Sequence, residues 1–244
     1  MLKDKIIIVT GGSGLIGKAL LNDLKKNNAT TINADINVEN ELHKGTHYCD
    51  VTLPDSINTL IDNAICEFGK IDGWVNNAYP RTKDWGDKFE SIKLESWKKN
   101  VDLQMNSVFI CNQLILKVMK QQRSGSIVNI SSIYGVVGPD FNIYQGTEMT
   151  MPAAYAAIKG GIVNFTRYLA SYYGPDGVRI NCVSPGGIFN DQPRSFVTQY
   201  EQRVPMRRMG LPKDIAPSVS FLLSDNAAYI TGHNLIVDGG WTSI

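Results

Sequence analysis

The feature that most constrains the fold is a β-branched run that passes through glycines straight into a helical pattern. Ile6-Ile7-Ile8-Val9 leads into Thr10-Gly11-Gly12-Ser13-Gly14-Leu15-Ile16-Gly17, and Leu15, Ile16, Ala19, Leu20 and Leu24 are apolar at helical spacing. A short, wholly apolar strand of this kind belongs inside a parallel sheet covered on both faces. The alternation continues along the chain. Helices are predicted over 15–28, 57–68, 94–122, 153–173 and 212–223, and strands over 6–9, 30–34, 71–76, 126–130, 178–183 and 235–237. This order predicts an α/β fold, a doubly wound parallel sheet with helices on both faces. With 244 residues, 43% of them hydrophobic, and no linker or repeat, the chain 1–244 reads as a single domain.

The glycine turn sits where such a sheet meets phosphate. Glycines let the backbone approach a pyrophosphate, whose charge meets the helix N-terminus. Glycine turns also close ordinary strand–helix units, so the context, strand before and helix after, carries the reading. The expected cofactor contacts are Gly11, Ser13, Gly14, Leu15, Ile16 and Gly17. Asp35 follows the second strand. A carboxylate there accepts hydrogen bonds from the adenosine ribose and repels a 2′-phosphate. No arginine or lysine occurs between Lys26 and Lys44, so NAD(H) is favoured over NADP(H). The plain alternative for Asp35 is a solvated loop carboxylate.

Tyr155 and Lys159 stand four residues apart on a predicted helix and so share one face. A tyrosine hydroxyl titrates near ~10 in isolation, and a nearby ammonium favours the phenolate. Such a pair can exchange a proton with an alcohol or a carbonyl. Taken alone, it is equally a surface helix pair.

At this point the chain resembles the short-chain dehydrogenase/reductase family in its compact single-domain branch. Besides the glycine turn and Tyr155/Lys159, the resemblance rests on Asn76-Asn77-Ala78, Asn106, Ser131-Ser132, Pro185-Gly186 and the terminal Val237-Asp238-Gly239-Gly240, in the family's order. It implies a Rossmann-type sheet of about seven strands. It also implies that Ser132, rather than Ser131, polarises the substrate oxygen, that Tyr155 transfers the proton, and that Lys159 lowers the tyrosine's pKa and binds the nicotinamide ribose. Asn106 would hold a relay water. Asp50 and Val51 would meet the adenine, Asn77 and Ala78 would support the cofactor, and Pro185, Gly186 and Ile188 would flank the nicotinamide. Asn190 stands where the family often has a threonine at the carboxamide.

The chain also departs from the family. Its glycines follow T-G-x-x-G-x-x-G, where the compact branch would place one at Leu15. Tyr79 replaces the usual glycine after Asn-Asn-Ala. The stretch from Ser132 to Tyr155 is roughly twice the family length, the extra residues falling around 140–151 as a wall or lid. Its polar content (Asn142, Tyr144, Gln145, Thr147, Glu148) suits a hydroxyl-rich substrate. The substrate pocket is expected from 79–90, 134–152 and 187–209. Tyr79, Arg81, Tyr144, Gln145, Glu148 and Arg194 are its candidate contacts, and Arg81, Arg194 and Arg203 are candidate anion binders.

Composition narrows the remaining classes. Lys plus Arg is 24 against 23 Asp plus Glu, a net charge of +1, and no basic run exceeds two residues; neither nucleic acid nor an anionic membrane is expected as a partner. Four cysteines lack a C-x-x-C unit and three histidines lack zinc spacing, so no metal is expected. No stretch reaches the ~18–20 apolar residues of a membrane span. With no signal-peptide pattern at the start, the chain is expected to be cytoplasmic. The leading reading is an NAD-dependent dehydrogenase that interconverts a secondary alcohol and a ketone. Its insert and Asn-Ala-Tyr-Pro-Arg stretch are similar to members tied to bacterial surface-sugar and flagellin-glycan pathways, which points to a sugar or sugar-derived substrate, free or nucleotide-linked. The alternatives are a 3-oxoacyl or gluconate-type reductase and a non-catalytic NAD(H)-binding sensor or scaffold. The resemblance implies a homotetramer or homodimer.

Overall fold

The computed structural model describes residues Met1–Ile244. Seven strands, β1 (Ile6–Thr10), β2 (Thr30–Asp35), β3 (Thr46–Tyr48), β4 (Gly73–Asn76), β5 (Gly125–Ile130), β6 (Val178–Pro185) and β7 (Asn234–Val237), form one sheet in the order β3-β2-β1-β4-β5-β6-β7. Every pairing is parallel; Ile8 of β1 lies between Ile32 of β2 and Trp74 of β4. The expected doubly wound sheet is therefore present. The strand order reverses between β1 and β4, and in such sheets ligands bind outside the carboxyl ends of the strands at that point.

Helices α1 (Leu15–Lys26), α2 (Pro54–Phe68), α3 (Leu94–Val101), α4 (Ser107–Gln122), α5 (Ala153–Tyr173), α6 (Arg194–Arg203) and α7 (Pro212–Leu223) complete the fold. One core joins Ile57 and Leu60 of α2, Ile115 of α4 and Leu169 of α5 to Ile8, Ile32 and Ile127. The other joins Leu20 and Leu24 of α1 and Ile215 and Val219 of α7 to Ile7, Val9 and Val128. Alternate residues of one strand thus serve opposite faces, as the two-residue period requires. Helix α2 begins with Pro54 at its first position and stops at Gly69, whose φ of 76° only glycine adopts freely.

Three elements differ from expectation. The helix predicted over 94–122 is two helices, α3 and α4, joined by a π-helical turn at Asp102–Asn106. Strand β3 and helix α6 lie in stretches for which the sequence predicts no helix or strand. No helix is long and apolar enough to cross a membrane.

Candidate active site

The carboxyl ends of β1, β2, β4, β5 and β6 open into one cavity of about 900 Å³. At one end lies the glycine turn. Gly11 has φ +64°, and a Cβ there would stand 2.7 Å from Ala78 Cα; a Cβ on Gly17 would collide with the Gly11 carbonyl oxygen. These two positions need glycine. Gly14 caps α1 at an ordinary φ of −73°, and Leu15, exposed, opens the helix without disturbing the turn. The unusual glycine spacing therefore leaves a bare backbone cradle at a helix N-terminus, which fits a pyrophosphate. Asn77 holds the cradle: its Nδ2 donates to the carbonyls of Thr10 (3.0 Å) and Gly11 (2.9 Å).

Asp35 is buried at the end of β2. Its carboxylate accepts from Ser13 N (3.0 Å) and from the backbone and side-chain nitrogens of Asn37 (3.0 Å each). Asp50 and Val51 line the same end, with the Asp50 carboxylate accepting from Thr52 N at 2.9 Å. Asp35 and Asp50 are the only carboxylates on the cavity wall, and its only cations, Arg81 and Lys159, come with the substrate-side segments. A ribose diol fits beside Asp35; a 2′-phosphate would meet negative charge.

Strand β5 delivers Ser131 and Ser132. The Ser131 hydroxyl donates to the Lys159 carbonyl at 2.8 Å, which holds β5 to α5. The Ser132 hydroxyl caps the following 3₁₀ turn, accepting from Tyr134 N at 3.2 Å. Tyr155 and Lys159 rise one helical turn apart on α5. Lys159 is buried; its ammonium donates to the Ile130 carbonyl at 2.9 Å and stands 5.5 Å from the Tyr155 ring centre. Burial draws the ammonium down to about 8. Burial pushes the Tyr155 hydroxyl above its ordinary value, and the neighbouring Ser132 hydroxyl opposes the shift. Pro185, Gly186, Ile188 and Asn190 line the cavity after β6.

Asn106 is not brought to this cavity. It is exposed, and its amide donates to Asp102 at 3.0 Å, because the π-turn rotates it to the outer face. The residue turned inward is Gln104. Both its amide atoms are buried without a protein partner, on a turn whose Met105 packs against Gly161 of α5. A buried amide needs hydrogen bonds, so Gln104 is the residue on this turn with bonds left to make. Its sequence signal is one polar residue between Leu103 and Met105, where a helix turned to the core favours apolar ones.

The substrate side divides likewise. Tyr79, Arg81 and Tyr144 line the cavity, whereas Gln145, Glu148 and Arg194 are exposed outside it. Asp140 caps a 3₁₀ turn at Phe141–Tyr144 that sends Ile143 and Tyr144 inward, so Asn142 and Gln145 face solvent, where they bond each other at 3.1 Å. Arg203 pairs with Asp140 at 3.6 Å and lies over the Trp241 ring at 5.5 Å, which fixes α6 to the insert. Met149 and Met151 of the insert, Phe196 and Tyr200 of α6, and Tyr134 and Met209 complete the wall. Of the stretch 82–90, Trp85 reaches the site: Tyr79, Trp85 and Tyr155 meet edge to face, with ring centres 5.7–6.2 Å apart.

Fold and site define a Rossmann-type oxidoreductase with a serine, a tyrosine and a lysine gathered at one end of the cavity. More closely, the chain belongs to the short-chain dehydrogenase/reductase family, whose members act on alcohol and ketone groups: a family profile described as enoyl-(acyl carrier protein) reductase matches residues 15–242. The chain is 36% identical over 254 residues to "post-translational flagellin modification protein A" of Campylobacter coli, covering 99% of each chain. It is 34% identical to the 3-oxoacyl-[acyl-carrier-protein] reductase of Vibrio cholerae, covering 98% of each. A crystal structure of a short chain dehydrogenase from Leptospira borgpetersenii with bound NAD+ superposes with a TM-score of 0.88 at 34% identity, covering 99% of this chain and 94% of that one.

Proposed function

We propose that the protein interconverts a secondary alcohol and a ketone with NAD(H), on a sugar or sugar-derived substrate, free or nucleotide-linked. The observation that carries the reading is the convergence of Ser132, Tyr155 and Lys159 beside a glycine cradle that needs Gly11 and Gly17. Gly11, Ser13 and Gly14 to Gly17 would hold the pyrophosphate, Asp35 the adenosine ribose, Asp50 and Val51 the adenine, and Asn77, Pro185, Gly186, Ile188 and Asn190 the nicotinamide half. Bound there, NAD(H) supplies the hydride chemistry. Ser132 donates a hydrogen bond to the substrate oxygen, and Tyr155 gives it a proton in reduction or takes one in oxidation. Lys159 favours the phenolate through its charge. Gln104, rather than Asn106, offers the buried amide for the relay water. The sugar reading is supported by the flagellin-modification relative. The 3-oxoacyl reading is kept because the Vibrio cholerae relative is nearly as similar.

NADH and NADPH are titrated first, by fluorescence transfer from the tryptophans. NADH is expected to bind at least tenfold tighter, and Asp35→Ser to close that gap; tighter binding of NADPH overturns the cofactor reading. Tyr155→Phe is expected to lower kcat by ~10²–10⁴ while NADH affinity holds. Turnover unchanged in that variant would overturn the mechanism.

A further inference from the structure

The cavity wall packed beside Tyr155 is built mainly of rings and thioethers. They come from Tyr134, Tyr144, Met149, Met151, Phe196 and Tyr200. The Tyr200 hydroxyl accepts from Gly187 N at 2.6 Å, and the hydroxyls of Tyr134 and Tyr144 lie near each other. The Tyr144 and Phe196 rings pack 5.3 Å apart. A sugar face dense in hydroxyls would lose water here and regain few partners. A face of C–H groups would gain by leaving water, and methionine adapts to its outline.

Charge on this side is one-signed. Arg81 makes no ion pair; its guanidinium lies 5.0 Å over the Tyr79 ring, which in turn packs 5.7 Å from the Tyr155 ring. No carboxylate lines this half, since Asp35 and Asp50 sit at the far end. A guanidinium held on an aromatic face, one ring from the reacting hydroxyl, presents a planar fork to carboxylate or phosphate oxygens.

We infer that the substrate offers an apolar, hydrogen-bearing face to the Tyr144–Phe196 wall and carries an anionic group that Arg81 binds. This rests on the oxidoreductase reading above and narrows it: the sugar-derived substrate is deoxygenated on the face turned to the wall, and is an acid or a phosphate ester.

The test is binding to the NADH-loaded protein, which leaves only the substrate side open. Four probes are titrated calorimetrically: cyclohexanecarboxylate, cyclohexyl phosphate, cyclohexanecarboxamide and glucuronate. Both apolar anions are expected to bind at least tenfold tighter than the neutral amide and than the hydroxyl-rich acid. The tighter of the two identifies the anion as carboxylate or phosphate. Arg81→Gln, at an exposed position, is expected to erase the margin over the amide and leave the amide's affinity unchanged. Glucuronate or the carboxamide binding as tightly, an unaltered margin in Arg81→Gln, or no probe binding overturns the inference alone. Absence of NADH binding in the preceding titration overturns the oxidoreductase reading with it.

Discussion

Lys159 answers to two opposed requirements. In the proposed mechanism its charge serves Tyr155, yet the side chain is buried with one protein acceptor, the Ile130 carbonyl. Burial lowers its folded pKa from 10.5 to about 8, so near neutral pH the folded state holds a proton at a cost. Each unit of that shift is ~1.4 kcal/mol, and the carbonyl left bare by a substitution costs ~1–2 kcal/mol. Lys159→Met is therefore expected to abolish turnover and raise stability by ~1–2 kcal/mol at pH 7, a few degrees in Tm for a chain of this size. The unfolded lysine keeps its proton up to 10.5, so the wild type gains stability between about pH 8 and 10.5 and the variant's advantage shrinks there. Thermal melts of both proteins at pH 7 and pH 9.5 check this; a variant less stable at pH 7 contradicts it. Tyr155 adds a second pH signature. Burial holds its proton, so ketone reduction should stay level through neutral pH, while alcohol oxidation, which needs the phenolate, should climb into the alkaline range. Initial rates in both directions from pH 6 to 10 show whether it does.

The glycine turn makes the element-level argument sharp, because its glycines are not equivalent. Gly17→Ala drives a Cβ into the Gly11 carbonyl and the Gly12 backbone, and should cost at least ~2–3 kcal/mol together with NADH affinity. Gly14→Ala has an ordinary φ and one neighbour at 3.3 Å, and should cost less than ~1 kcal/mol. Urea unfolding of the two variants separates them; equal losses would contradict the geometry. The sequence carried the sheet, the turn and the Tyr155/Lys159 pair because each rests on a period or a spacing, whereas Ser132 came only with the family resemblance. The sequence did not carry β3, three residues long, too short to show alternation. Nor did it carry α6, where Phe196 and Tyr200 alone are buried in a polar segment. The π-turn hides for another reason. One extra residue per turn shifts which side chains face inward, so a 3.6-residue period cannot choose between Gln104 and Asn106. In the insert, polar content was legible but direction was not. The turn capped by Asp140 decides that Tyr144 enters the cavity and Gln145 leaves it.

At the scale of the molecule, α5 joins the site to the surface. Its first turns carry Tyr155 and Lys159; its last carry Tyr168 and Tyr172, which are 61% and 59% exposed. Phe109 of α4, 44% exposed, packs 6.1 Å from Phe165, and the stacked rings of Phe165, Tyr168 and Tyr172 extend the row. A contiguous aromatic row across two helices is more than scattered surface apolarity, and such patches mark association faces. A second copy of the chain fits best, because a near-neutral molecule has little charge repulsion to oppose self-association, and closed two-fold symmetry would set like rows against each other. The expected homotetramer or homodimer therefore places this row at a subunit contact. Tyr168→Glu with Tyr172→Glu would bury like charges across a two-fold axis and should halve the mass, or more, in sedimentation velocity. Because the same helix holds Tyr155 and Lys159, turnover should fall with assembly, while NADH affinity, which the proposed reading assigns to the glycine turn after β1, should change little. An unchanged mass in the double variant would move the contact to another face.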